Sequence, residues 1–418
     1  MKRTIVTVIC LICFTSITWG QASVSDSYKK LYNEGSFKEA ITSIAKIDTS
    51  KRSAEDWFYI GQSYSANKEI LLAVDAFKAA IEKNPKHNGY RLTYARALNL
   101  AGNTEWAVDQ LNKVVEIDTT NIAALSDLGS IYMSIRKYDR AKIIYRKLLA
   151  QNNNDFLSHY NLALSEFSQN KNQSDTTLIQ NHLVWSLINN PRFTPARDLL
   201  GNYYFAKQRY YNALAEFESS SYYKLNDAEA HYKIGLCLEK LKHFQAAIPS
   251  YIKAVTLDST NGNYFSHLGY CYYLTNKADS AVFAYSKAAL FDKDNPTVYQ
   301  NLGMSYLKLD SLDAAKKAFT NALQNFGLLQ MAFNLNQIGY INLKQNNYEE
   351  AGRVCEKVLA LDLENVFANY NLARVYDEQK KNTFAIKYYK KSLSLMKDIP
   401  SMENEYKSAA RRIKELEK

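Results

Sequence analysis

The sequence predicts an all-α chain assembled from helical hairpins laid end to end. Three observations carry that expectation. Small residues recur at Gly61, Ala95, Gly129, Ala163, Gly201, Gly235, Gly269, Gly303, Gly339 and Ala373, in steps of 34, 34, 34, 38, 34, 34, 34, 36 and 34 residues. Two further series keep the same phase, allowing four extra residues in the fourth unit. One is Ala73, Ala107, Ala141, Ile179, Ala213, Ala247, Ala281, Ala315, Ala351 and Ala385. The other is Phe77, Leu111, Tyr145, Leu183, Phe217, Tyr251, Tyr285, Phe319, Cys355 and Tyr389. Composition agrees, since 6 prolines and 14 glycines in 418 residues leave little to interrupt helices. A fixed period of this length means one supersecondary unit stacked on copies of itself.

The first element is MKRTIVTVICLICFTSITWG, in which Lys2 and Arg3 precede an apolar run from Ile5 to Ile17 and Gly20 precedes Gln21. That layout predicts a secretory signal peptide over residues 1–20, too short in its apolar part for a bilayer span of about 20 residues. Cys10 and Cys13 fall inside it without the small preceding residue of a lipoprotein site, so no lipid anchor and no membrane span are expected in the mature chain. Cys237, Cys271 and Cys355 then remain, an odd number without metal-like spacing, and read as buried thiols.

Residues 21–53 read as a degenerate first unit, with Tyr28, Leu31, Gly35, Phe37 and Ala40 in matching places. Within every later unit, apolar residues three and four apart share one helix face. Aromatics three places after the small residue (Tyr64, Tyr132, Tyr204, Tyr272, Tyr306 and Tyr376) extend that face. Polar turns such as ANKE, IRKY, KQRY and KQNNY separate the two helices, and NPKH, DTTN, DSTN and DKDN join the units. Asp, Asn, Ser and Thr suit such joints because they cap helix N–H groups. Gly inside a helix costs about 1 kcal/mol against Ala, so its recurrence implies two backbones in close approach. The expectation is that Gly61 meets Ala73 while Tyr64 and Phe77 fill the space beside them.

At this point the chain resembles the tetratricopeptide repeat family. Its helix-turn-helix pattern of Trp, Leu, Gly, Tyr, Ala, Phe, Ala and Pro is met by Trp57, Ile60, Gly61, Tyr64, Ala73, Phe77, Ala80 and Pro85. The resemblance implies a right-handed α-solenoid superhelix of ten to eleven units, with ten covering residues 54–399. Units fill 54–167 and 179–399, and an insertion lies at 168–178. The unit from Phe156 to about Phe193 departs from the pattern, with extra residues at SQNKNQSD, Glu166 at an apolar place and Ile179 for alanine; a milder excess lies at 325–331. Residues 400–418 place Met402, Tyr406, Ala409, Ile413 and Leu416 on one helix face, which predicts a helix capping the last unit.

Chemistry-bearing motifs are missing. There is no GxxxxGK, GxGxxG, GxSxG or HExxH, and the histidines at 87, 159, 182, 231, 243 and 267 lack metal-ligand spacing. No cofactor, metal or catalytic residue is expected. The enzyme alternative is a helical-toroid glycosidase, for which Asp198, Glu229, Glu239 and Asp377 are the available carboxylates. The net charge of +10 comes from basic residues that alternate with acidic ones, so no nucleic-acid partner is expected.

The family resemblance implies that first helices line a concave face that takes an extended peptide or a partner's helix. Places three before, one after and four after the small residue should line it. In the C-terminal units these are Ser266, Tyr270 and Tyr273; Gln300, Met304 and Leu307; Asn336, Tyr340 and Leu343; and Tyr370, Arg374 and Asp377. Two places before the small residue stand Asn161, His267, Asn301, Gln337 and Asn371, and an amide can donate to and accept from a peptide backbone at once. The family's carboxylate clamp needs a lysine three places before the small residue, and none stands there. The expectation is a non-catalytic scaffold binding a protein or extended peptide. The Asn-, Lys- and Tyr-rich composition resembles envelope proteins of Bacteroidota-like bacteria and implies a periplasmic or envelope address. Alternatives are an accessory subunit of an export or surface-polysaccharide assembly machine, a homo-oligomeric array, and the toroid enzyme.

Overall fold

The computed structural model describes residues 27–169, 176–324, 328–397 and 399–418, and every regular element among them is helical. The expected signal peptide, Cys10 and Cys13, the centre of the 168–178 insertion, and 325–327 lie outside the described residues. The chain divides into two compact units, Met1–Leu199 and Leu200–Lys418.

The first unit opens with a helix at 27–33 (α1) and α2 (Phe37–Ile44). Four hairpins follow: α3 (Ala54–Ala66) with α4 (Ile70–Lys83), α5 (Asn88–Leu100) with α6 (Thr104–Ile117), α7 (Ile122–Ser134) with α8 (Tyr138–Gln151), and α9 (Phe156–Gln169) with α10 (Thr176–Asn189). The division falls inside α11 (Thr194–Ala206), whose partner is α12 (Tyr210–Tyr223). The second unit continues with α13 (Ala228–Lys240) and α14 (Phe244–Leu257), α15 (Gly262–Leu274) and α16 (Ala278–Phe291), then α17 (Pro296–Lys308) and α18 (Leu312–Leu323). It ends with α19 (Leu328–Lys344) and α20 (Tyr348–Leu361), α21 (Val366–Glu378) and α22 (Asn382–Met396), and a last helix α23 (Glu403–Leu416). Within each unit helices pack on their sequence neighbours. First helices also touch first helices, as α5 does α7, α13 does α15, α15 does α17 and α19 does α21.

The two helices of a hairpin begin differently. First helices carry side-chain caps: Ser53, Asn121, Asp227, Asn261, Asn295 and Asn365 each accept from a backbone N–H of the first turn. The second helices whose starts are described begin without one and follow a fold-back. Seven places after the small residue, Lys68, Gly102, Arg136, Gln208, Lys242, Asn276, Asp310, Asn346 and Lys380 take left-handed backbone, with φ from +51° to +82°. The next N–H then returns to a carbonyl five residues back, as Glu69 does to Tyr64 at 2.9 Å and Lys137 to Tyr132 at 2.8 Å.

The glycines correct one expectation. A Cβ built on Gly61 would lie 2.6 Å from the Phe77 ring, on Gly235 2.6 Å from Tyr251, and on Gly303 2.9 Å from Phe319. The recurring contact is therefore helix backbone against an aromatic face, and Ala73 is not what Gly61 makes room for. Glycine faces an aromatic at Gly129, Gly201 and Gly269 too, and Ala95 is matched with Leu111, but the rule is broken where Gly339 faces Cys355 and where Ala373 is matched with Tyr389.

The irregular hairpin has its own repair. Glu166 lies 3.1 Å from Lys142 of the preceding second helix, with only 15% and 13% of the two side chains exposed. At the C-terminus α23 packs on α22, and Ala409 and Ile413 join Ala373, Ala385 and Tyr389 in one cluster that Leu416 flanks. Met402 is buried as expected, but Tyr406 faces solvent. Arg412 clamps Asp377 of α21 at 2.8 and 2.9 Å.

Candidate functional site

The predicted lining residues fall into three groups. In the first unit, Asn161 of α9 is half-buried in a cavity of about 370 Å³ that Ser126, Ser130, Tyr145 and Ser158 also line. It stands apart from the other predicted residues, which all belong to the second unit.

On α15 and α17 much of the predicted surface is already engaged. His267 Nδ1 donates to the Glu239 carboxylate at 2.8 Å, which also accepts from the Tyr251 hydroxyl at 2.8 Å. Burial, together with the Glu239 charge, holds the Tyr251 phenol neutral far above its ordinary range. Tyr273 lies under the Lys308 ammonium, 3.9 Å from its ring centroid, and Met304 packs into the cluster around Phe319. Tyr270 remains exposed, edge-on to Phe244. The side-chain amides of Gln300 and Asn301 are half-buried and make no hydrogen bond.

Six predicted residues come together on α19 and α21. Asn336, Gln337, Tyr340, Tyr370, Asn371 and Arg374 line a cavity of about 360 Å³, with Phe367 and Glu405 completing the wall. Helical spacing explains the grouping: 336, 337 and 340 share one face of α19, and 367, 370, 371 and 374 one face of α21. Asn336 Nδ2 donates at 2.9 Å to Asn365 Oδ1, the oxygen that caps α21 on Ala368, and so fixes α19 against α21. Its own Oδ1 is buried without a partner.

Asn371 is 5% exposed, yet its amide makes no hydrogen bond, and neither does that of Gln337. The polar atoms of these two amides open onto the cavity, where a ligand backbone can both donate to and accept from them. The remaining predicted positions, Leu343 and Asp377, do not reach the cavity: Leu343 is core, and Asp377 is held by Arg412 and the Tyr389 hydroxyl.

Sequence reasoning missed Phe367 and Glu405. Phe367 lies one turn before Tyr370 and Asn371, so extending the stripe by a turn would have found it. Glu405 comes from α23, and nothing in the repeat pattern says how that helix is placed.

The family model described as the cytochrome c-type biogenesis protein H TPR domain matches residues 44–156. Tetratricopeptide repeat models match 228–261, 296–325, 334–365 and 368–403. The chain is a tetratricopeptide repeat protein. Among curated protein sequences, none matches it. Solved structures similar to this tetratricopeptide repeat protein include YrrB, a TPR protein with an unusual peptide-binding site, at 21% identity over 43% of this chain and 90% of that one, with a TM-score of 0.39. A tetratricopeptide repeat protein from Parabacteroides merdae aligns at 16% identity over 60% and 98%, with a TM-score of 0.44. Yeast Tom70 aligns at 16% over 94% and 95%, with a TM-score of 0.37.

In this tetratricopeptide repeat protein, three carboxylates weighed for a toroid enzyme are engaged internally. Glu229 accepts from Tyr264 at 3.0 Å, Glu239 binds His267 and Tyr251, and Asp377 binds Arg412. Among the described residues no three His, Cys, Asp or Glu side chains come together as a metal site, and no helix is long and apolar enough to cross a membrane.

Proposed function

We propose that this repeat protein is a non-catalytic scaffold of the cell envelope that grips an extended segment of a partner protein, with the α19–α21–α23 cavity as its principal contact. The observation that carries the reading is the pair of side-chain amides of Asn371 and Gln337, neither hydrogen-bonded among the described residues, on a wall that also presents the rings of Tyr340, Phe367 and Tyr370. A peptide backbone offers a donor and an acceptor at each residue, which a side-chain amide can meet simultaneously. Tyr340, Phe367 and Tyr370 supply large apolar faces at low entropic cost. The N-terminal sequence supports the envelope address.

The test is photo-crosslinking in the native organism from a benzoylphenylalanine at Phe367. A discrete adduct that disappears on adding Tyr370→Ala and Asn371→Ala supports the scaffold reading; no adduct, or one indifferent to both changes, refutes it. Fractionation of the same cells tests the address, which a purely cytoplasmic protein would overturn.

A further inference from the structure

We infer that the terminal helix α23 takes part in recognition, and that the cavity selects a peptide segment carrying an acidic side chain for Arg374 and a basic one for Glu405. This deepens the peptide reading and rests on it.

Arg374 on α21 and Glu405 on α23 both line the cavity and are both half-buried. Neither makes an ion pair or hydrogen bond, with each other or with any other group. That is unusual for this surface. The neighbouring charges on α23 are matched, Glu403 by Lys407, Glu415 by Arg412 and Glu417 by Lys390. A half-buried charge with no counter-charge bound to it is open to an oppositely charged group on a ligand, which is a source of selectivity.

The buried, unpartnered Oδ1 of Asn336 and the unbonded amide of Asn371 share the same wall. Several unmet polar groups around one cavity point to a ligand, where a single one would not. The placement of Glu405 is fixed by contacts away from the cavity: Arg412 on Asp377, and Ala409 and Ile413 in the apolar cluster. The helix that covers the last repeat thus also delivers a carboxylate to the site. The occupant is a peptide with opposite charges flanking an apolar or aromatic side chain, which the ring faces of Tyr340, Phe367 and Tyr370 receive.

The experiment uses the full chain and an array of N-acetylated, C-amidated heptapeptides with a central aromatic residue and varied flanks. Wild type should retain peptides with an acidic residue on one side and a basic one on the other. E405K should weaken the best of these about 10-fold, as loss of a favourable charge contact does, and replacing the peptide's basic residue by Glu should restore binding. R374E should show the converse with the acidic residue. Unchanged circular dichroism confirms that each variant folds.

Peptides retained without regard to charge, but lost with Tyr370→Ala, overturn the charge selection and leave the groove reading standing. Equal binding of the best peptide by E405K and wild type excludes α23 from the site. Retention of no peptide above the Tyr370→Ala level removes the groove reading and this proposal together.

Discussion

At the residue scale, the repeat is a problem of volume solved several times in one chain. The register of small residues was legible because it recurs, and so was the bulky series sixteen places on. Which atoms meet was not legible, since spacing gives faces and not contacts: the atoms nearest a Cβ on Gly61 belong to the ring of Phe77 and not to Ala73. The pairs make opposite predictions for one substitution. A methyl on Gly235 lies 2.6 Å from the Tyr251 ring, which is fully buried and tethered through its hydroxyl to Glu239. Gly235→Ala should therefore lose up to about 2 kcal/mol, an overpacking cost of about 1–3 kcal/mol less the helical gain of about 1. Gly339 faces the smaller Cys355, whose Sγ would lie at 3.3 Å. Gly339→Ala should be neutral or stabilising by up to about 1 kcal/mol. Urea midpoints of the two variants decide the matter, and an equal loss in both would refute the volume argument.

At the element scale, second helices meet the first helix of the following unit through two fixed places, thirteen and three after the small residue. Val74 with Leu98 and Val108 with Tyr132 are apolar pairs within one cluster. Two units instead place lysine at the first position, and both put a polar residue opposite: Lys142 with Glu166 at 3.1 Å, and Lys316 with Asn342 at 2.7 Å. Glu166 looked like a defect in its own unit because its partner lies in the preceding one, a relation that reading units singly hides. Breaking a pair this buried leaves an uncompensated charge, at about 3–5 kcal/mol. Lys142→Val and Glu166→Tyr should each destabilise by several kcal/mol, softened in the second case by Asp139, 3.1 Å from Lys142. The double variant, which recreates the apolar pair, should recover most of the loss. Additive effects in that cycle would show that the two side chains do not act as a unit.

At the scale of the whole molecule, a stacked array gains stability from nearest neighbours, so its parts need not unfold together. This chain carries separate reporters: Trp57, Trp106 and Trp185 lie in the first unit, while Cys237, Cys271 and Cys355 lie in the second. Burial pushes each of those thiols up to about 12, so they should react with a thiol reagent only after opening.

The first unit also holds an acid-sensitive contact. His159 Nε2 donates to the Asn153 carbonyl at 2.9 Å, leaving its Nδ1 to accept from His182 Nδ1 at 2.8 Å. Burial, reinforced by His159 and Arg146, lowers His182 to about 4 from 6.5. With the folded value depressed, the unfolded chain takes up the proton first as pH falls. The stabilisation is complete above pH 6.5 and is lost progressively down to about pH 4. The carboxylates of Asp48, Asp118 and Asp139, held below 3.8 chiefly by side-chain hydrogen bonds, lose theirs only in a lower window. Burial also lowers His231 in the second unit, so both urea midpoints should fall between pH 7 and 4.5; the large shift of His182 should make the tryptophan-detected one fall further than the thiol-detected one, and His182→Gln should flatten the difference. Coincident transitions that shift equally with pH would mean that the chain unfolds as one cooperative body and that the histidine contact is immaterial to it.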